Sequence, residues 1–336
     1  MNRTLTLALF CGLLSCTSCS TLLYAESSQS PPVTISSEET LNIGGVFASA
    51  IAFDATGTQL ASGSGDGFVR LWNVASGHET RALHQPSAVN ALAFSPDGHV
   101  VAAAGADANV RLWDARDGQA LRTLTLGTYY LTDLAFSPDG TLLATASGDN
   151  SRVSGEANSV TLWNVATGER LATLIGHTDV VTSVAFDASG GKLASGSRDK
   201  TVRLWNVAAR REERTLRGHS DFLTDVTFSP DGRLLATASL DTTVRLWNAA
   251  SGQAMGELRG DGGPVSSVAF SPNSALIATG SEDGRVRAWN VEQGRVTTLL
   301  EGHTSAVTRV AFGASGVLAS SGGRDKTVRV WRLTRP

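Results

Sequence analysis

Three times in this chain a histidine, a hydroxyl residue, an aspartate and a tryptophan recur in order. The sets are His177, Ser195, Asp199 and Trp205; His219, Thr237, Asp241 and Trp247; and His303, Ser321, Asp325 and Trp331. In each set the aspartate follows the histidine by 22 residues, and the tryptophan follows the aspartate by six. A hydroxyl, an imidazole and a carboxylate are the parts of a nucleophilic hydrolase. Such catalysis needs one exposed nucleophile and one oxyanion site, whereas these groups come in three copies. No Gly-x-Ser-x-Gly elbow occurs anywhere in the chain. The same groups suit a buried structural role, because a buried indole N–H needs an acceptor and a carboxylate holds a buried imidazole in one tautomer. No catalytic residue is expected.

Other chemistry is no better supplied. Gly63-Ser-Gly-Asp-Gly67 lacks the lysine and helix of a phosphate loop and reads as a turn. The six histidines are scattered, and all three cysteines lie before residue 20, so no metal site and no cofactor is expected. Arg70, Arg111, Arg203, Arg245, Arg287 and Arg329 each stand two residues before a tryptophan. A nucleic-acid patch would gather them on one surface. Their even spacing instead fits stems that pack while the heads find acids. With 28 basic and 31 acidic residues interspersed, net charge −3 adds no pull toward nucleic acid.

The elements that position these residues are short strands. From Thr215 to Trp247, runs of strand type cover Leu223–Phe228, Leu234–Ser239 and Thr243–Trp247, and Ala254–Leu258 makes a fourth. Ser-Pro-Asp-Gly between the first two has Pro and Gly where a β-turn uses them. Four such strands form one antiparallel sheet that cannot bury both of its faces alone. The seven tryptophans count the units: they are 41, 50, 42, 42, 42 and 42 residues apart. A period near 42 with four strands per unit predicts an all-β fold, blades stacked around an axis. After Trp331 too little chain remains for a fourth strand, and Glu38–Leu41 aligns with Arg170–Leu174. The two chain ends are therefore expected to share one blade of a closed seven-bladed ring.

With these motifs in view, the chain resembles the WD-repeat β-propeller family. The resemblance rests on Gly-His at 176–177, 218–219 and 302–303, on Ser-Pro-Asp-Gly at 95–98, 137–140 and 229–232, and on Val-Arg-Leu-Trp at 69–72, 202–205 and 244–247. It covers residues 37–336. The naming dipeptide departs: Trp113-Asp114 is literal, five units have Trp-Asn, and the last has Trp331-Arg332. Asparagine serves such a turn as well as aspartate. The resemblance implies that each four-residue set forms a buried hydrogen-bond chain from Trp through Ser or Thr and His to Asp. Blades one, two, three and six carry Gly44, Gln85, Gly127 and Asp261 near the histidine position.

Residues 1–25 read as an export leader, with Arg3 ahead of the apolar run Leu5–Leu14. Two routes stay open. Cleavage near Ser20 or Ala25 would release a soluble protein, whereas Leu13-Leu-Ser-Cys16 resembles a bacterial lipobox in which Cys16 is lipidated. Residues 26–36 read as a polar tether. The expected location is the periplasm, the membrane through a lipid anchor, or outside the cell.

Departures from a repeat are where function is grafted. Blade three carries eight extra residues, 151–158, including Arg152 and Glu156. The position just before each first strand varies and holds aromatics at Phe47, Tyr130 and Phe222, with Tyr129 beside Tyr130. The resemblance implies that both features open on one face. The chain thus reads as a monomeric, non-catalytic platform for a protein or peptide partner. Its rival is an extracytoplasmic enzyme or small-ligand binder using the central channel, with Asp133, Asp225 and Arg309 as contributors.

Overall fold

A computed structural model describes residues 34–127, 129–149, 155–260 and 262–334. Among them, 28 strands form seven four-stranded antiparallel sheets, and one short 3-10 turn spans Glu156–Asn158. We number the blades one to seven along the chain, and the strands of each blade first to fourth from the channel outward. The first strand of each blade packs against the first strands of its two neighbours. Ala48–Phe53 of blade one also meets Val307–Phe312 of blade seven, which closes the ring.

The cores lie between blades, as expected for sheets that cannot bury both faces alone. At the junction of blades one and two, Val69, Leu71 and Leu83 pack against Leu92, Val101 and Trp113. The Ser-Pro-Asp-Gly turns show why that sequence recurs. In the first, Gly98 N–H donates to Ser95 O at 2.8 Å, and Gly98 takes a positive φ of 72°. Ser95 Oγ and Asp97 Oδ1 then cap the backbone N–H groups of Val100 and His99.

Blade seven is completed by the N-terminal strand, which is longer than Glu38–Leu41. It spans Thr34–Asn42 and pairs with Thr327–Thr334. Residues 34–36, expected as the end of a tether, are therefore strand. The reason is that the third strand runs on past Trp331, so Thr34 and Ser36 find Thr334 Oγ1 and Arg332 O, each at 3.0 Å. Leu41 and Ile43 are buried in the core between blades seven and one.

A second closure runs round the channel. Hydroxyl or amide side chains on the first strands donate to the neighbouring blade's backbone: Ser49 to Val89 O, Asn90 to Leu131 O, Thr132 to Val181 O, Thr224 to Val265 O, Ser266 to Val307 O and Thr308 to Ala48 O. Thr182 instead donates to Gly196 O in its own blade.

Candidate functional site

The strand order places each hydroxyl of the repeated sets on the second strand, beside the tryptophan of the third. In blade four, Trp205 Nε1–H donates to Ser195 Oγ at 2.8 Å, Ser195 Oγ meets His177 Nε2 at 2.8 Å, and His177 Nδ1 meets Asp199 Oδ2 at 2.8 Å. Blade five repeats this through Thr237, His219 and Asp241 at 2.9, 2.8 and 2.8 Å. An ionised aspartate only accepts, so Nδ1 donates to it and Nε2 accepts the hydroxyl proton. Burial pushes the His219 and His303 imidazoles below their ordinary value, against the raising pull of Asp241 and Asp325. For Asp241 burial acts to raise the carboxyl, but Thr243, His219 and the backbone N–H of Ser220 bring it down to about 2. Ser195 and Thr237 are fully buried with their hydroxyls committed at both ends. These hydroxyls cannot reach a substrate.

Blade seven departs from the expected set. Trp331 Nε1–H donates to Ser320 Oγ at 3.0 Å, and Ser320 Oγ meets His303 Nε2 at 2.9 Å. Ser321, the residue expected there, faces the other way and meets Thr308 Oγ1 at 2.8 Å. The cause is a pair of compensating changes. The first turn is one residue shorter before Val317, and the Gly322-Gly323-Arg324-Asp325 turn is one residue longer. The histidine-to-aspartate spacing is preserved while the second strand slides by one, which exchanges its faces.

The hydroxyl acceptor also serves blades that lack the histidine: Trp72 uses Ser62, Trp163 uses Thr145 and Trp289 uses Thr279. Ten residues separate hydroxyl and tryptophan in blades one, four, five and six, a spacing that marks the acceptor in those blades with or without a histidine. Blade two has Ala103 at that place.

The arginine two before each tryptophan chooses its acid accordingly. In blades one, two and six, Arg70, Arg111 and Arg287 pair with Asp66, Asp107 and Asp283 at 3.1, 2.6 and 2.7 Å. In blades four, five and seven the histidine takes that aspartate. Arg203, Arg245 and Arg329 turn to Glu212, Glu257 and Glu38 instead. Blade three inverts the charges: Thr161 stands at the arginine place, and Arg170 on the fourth strand reaches Glu156 at 3.6 Å.

The varied position before each first strand is a shared structural site. Its carbonyl accepts the N–H that follows the second strand: Phe47 O from Gly65, Ala88 O from Ala106, Val180 O from Arg198, Phe222 O from Leu240, Pro264 O from Glu282 and Ala306 O from Gly323. Tyr130 pairs with Gly148 at the same level, immediately before the blade-three insertion. Antiparallel topology thus brings the aromatics and the insertion to one face of the ring, opposite the Ser-Pro-Asp-Gly turns. Phe47 and Phe222 are each 37% exposed. Phe47 lies across Gly65, where a Cβ would come within 2.3 Å of its ring. Tyr129 and Tyr130 are half-buried. Burial pushes the Tyr130 phenol up, and Tyr130 lines a cavity of about 380 Å³ at the channel mouth with Asn90, Thr132, Thr182 and Arg198.

Glu156 does not join the aromatics, since it turns toward Arg170. The foot of the insertion is built in rather than draped over the blade. Ala157 and Asn158 are buried, and Asn158 Oδ1 accepts Asp149 N–H at 3.0 Å. Arg152 and Cys16 lie outside the described residues. Asp133, Asp225 and Arg309 come together in the channel: Arg309 lies 3.1 Å from Asp225 and 3.6 Å from Asp133.

Comparison with known proteins agrees with this geometry. No curated protein matches the chain. Seven stretches match the family model described as WD domain, G-beta repeat (WD40): residues 43–73, 77–114, 118–151, 168–206, 210–248, 252–290 and 294–332. The matched repeats are offset from the blades: each begins on the fourth strand or connector of one blade and ends at the third strand of the next, save 118–151, which stops short of the third strand of blade three. A ring of seven four-stranded blades and seven matched repeats place this chain in the WD40 family of WD-repeat β-propellers.

Proposed function

We propose that this propeller is a non-catalytic protein-interaction platform, exported to the cell envelope, that takes a protein or peptide partner on the face carrying Phe47, Tyr129, Tyr130 and Phe222. Propellers of the family generally act as protein-interaction scaffolds and are typically non-catalytic. The observation that carries the choice of face is Phe47 and Phe222, large apolar rings left over a third exposed at one repeated position of a rigid frame. Rigid aromatics bury much area on binding and lose little side-chain entropy, so they serve as anchors. Export rests on Arg3 and the apolar run Leu5–Leu14.

The test is site-specific photocrosslinking in the native host. A photoreactive residue is placed at 47, 130 or 222 on the proposed face, and at 230 or 272 in the turns of the opposite face. Adducts of one mass from the first group alone support the face. Adducts confined to the second group refute it. Against a partner so identified, Phe47→Ala, Tyr130→Ala and Phe222→Ala each weaken binding by about 1–3 kcal/mol.

A further inference from the structure

One layer of the channel breaks the sevenfold pattern with charge. The residue paired with the same point of each second strand is Ala50, Ala91, Asp133, Ser183, Asp225, Ser267 and Arg309, from blade one to blade seven. Below it a well of about 440 Å³ runs along the first strands as far as Pro230, in the turn on the far face. Its wall includes the small side chains of Ala135, Ala185, Thr227, Ala269 and Ala311, beside apolar residues such as Phe136.

The two carboxylates of the layer are not equally served. Asp225 Oδ1 accepts from Ser183 Oγ at 2.9 Å and Val226 N at 3.0 Å, and its Oδ2 accepts from Ser267 Oγ at 2.7 Å and Val268 N at 3.0 Å. Arg309 stands closest to it, at 3.1 Å. Asp133 Oδ2 accepts Val184 N at 3.0 Å, whereas its Oδ1 faces the Arg309 guanidinium at 3.6 Å, beyond hydrogen-bond reach, and the carboxyl shares the Ser183 hydroxyl with Asp225. Ser183 has one hydroxyl proton for the two carboxylates, and its 2.9 Å contact is to Asp225 Oδ1. Ala50 and Ala91, on the open side of the layer, have nothing to donate. The Asp133 side chain keeps 15% exposure, and that exposure is onto the well it lines. With both carboxylates ionised against one guanidinium, the layer would hold one negative charge in excess, in a setting where an unmatched charge is costly. Burial accordingly pushes the Asp133 carboxyl up.

We propose that this well binds one primary organic ammonium ion, whose –NH3+ group donates to Asp133 Oδ1 while a short alkyl stem lies along the alanine wall. Each carboxylate then has its own cation, Arg309 for Asp225 and the ligand for Asp133. The well is apolar where the stem would lie and polar where the head would sit, the arrangement of a small-molecule pocket. From Asp133 to Phe136 the strand rises about 10 Å, room for a stem of several carbons. The inference stands apart from the partner face and survives if that face is wrong.

The probe is n-butylamine, titrated calorimetrically into the full chain at pH 7, with n-butanol and butyrate as controls. Butylammonium binds saturably at one per chain, and neither control binds. Asp133→Asn weakens it by about tenfold or more, since the charge is lost while the Val184 contact stays. Ala135→Leu, which narrows the well and leaves the charged layer intact, gives a second loss and covers the case in which Asp133→Asn fails to fold. A peptide bearing one lysine, run alongside, tells a side-chain ligand from a free amine. No butylammonium binding, binding unchanged in both variants, or binding of butyrate in its place overturns the proposal.

Discussion

Replacing Ser320 by alanine should damage this protein far more than replacing Ser321, although the two are neighbours of one type. Ser320 Oγ accepts from the Trp331 indole and donates to His303 Nε2. Trp331 is 1% exposed, so water cannot take over. Removing the hydroxyl strands one donor and one acceptor, and at about 1–3 kcal/mol per unmet buried group the loss is about 2–6 kcal/mol. Ser321→Ala takes one contact from Thr308, whose hydroxyl keeps Ala48 O at 3.0 Å and the backbone carbonyl of residue 321 at 3.1 Å. Its expected loss is within about 1 kcal/mol. Urea unfolding of both variants and the unaltered chain measures the difference. A third comparison, Ser320→Ala in a Trp331→Phe background, should show a smaller penalty because the indole N–H is already gone. Equal losses, or a larger loss for Ser321→Ala, would refute the one-residue slide on which the assignment rests.

Acid should act in two stages. His219 and His303 have depressed values in the fold, so below the unfolded pKa of about 6.5 the unfolded chain takes up protons that the native chain refuses, and stability falls by about 1.4 kcal/mol per pH unit for each histidine. Asp241, down at about 2, and Asp325, also depressed, contribute stability above about pH 4 that is lost as pH falls further through their folded values. Urea midpoints from pH 8 to 5 check the first stage, and an unchanged slope in a His219→Gln, His303→Gln chain would count against it. Deleting the chain through Leu41 removes a buried leucine and uncovers the edge of Thr327–Thr334, for an expected loss of about 3 kcal/mol or more and aggregation seen by light scattering. A truncated chain that melts like the full one contradicts closure by that strand. For export, intact mass should give a start at acylated Cys16 or between Thr21 and Glu26, with Cys16→Ser releasing the protein from membranes in the first case; an unprocessed chain in the cytoplasm excludes both.

Much of the ring was legible because one residue type, tryptophan, sits at one place in every blade. Its spacing gave blade number, and the alignment of Glu38–Leu41 with Arg170–Leu174 gave the closing strand. Register was less legible. In blade seven a shortened turn and a lengthened turn cancel in the count, so the 22-residue spacing was intact while the second strand had slipped by one. A strand shifted by one residue exchanges its faces, and spacing from the histidine or the tryptophan points to Ser321, whereas the Leu-Ala pair that precedes the acceptor hydroxyl in blades one, three, four and five points through Leu318-Ala319 to Ser320. The acid chosen by each arginine was hidden for a different reason. It depends on whether a histidine from the preceding connector has already claimed the aspartate, a competition settled in space and not along the chain.

That competition also bears on where this propeller can carry function. In blades four, five and seven the connector histidine, the second-strand hydroxyl, the aspartate and the tryptophan are cross-linked, and the arginine is displaced outward onto a glutamate. Substituting any member strands the others, so these blades have little freedom to diverge at that face. Blades one, two, three and six lack the histidine. Blade three has gone furthest, with its arginine place taken by Thr161, its charges inverted through Arg170 and Glu156, and its turn enlarged on a buried foot at Ala157 and Asn158. Tyr129 and Tyr130 sit in the same blade, and the first strand that Tyr130 begins carries Asp133 into the channel. Blade three, released from the hydrogen-bond chain, thus contributes to both the aromatic face and the charged layer, as blade five does through Phe222 and Asp225. The hydrogen-bond chains use the connector, the second and third strands and the turn between them, so the first strands are left to supply Asp133, Asp225 and Arg309 in blades with and without a chain.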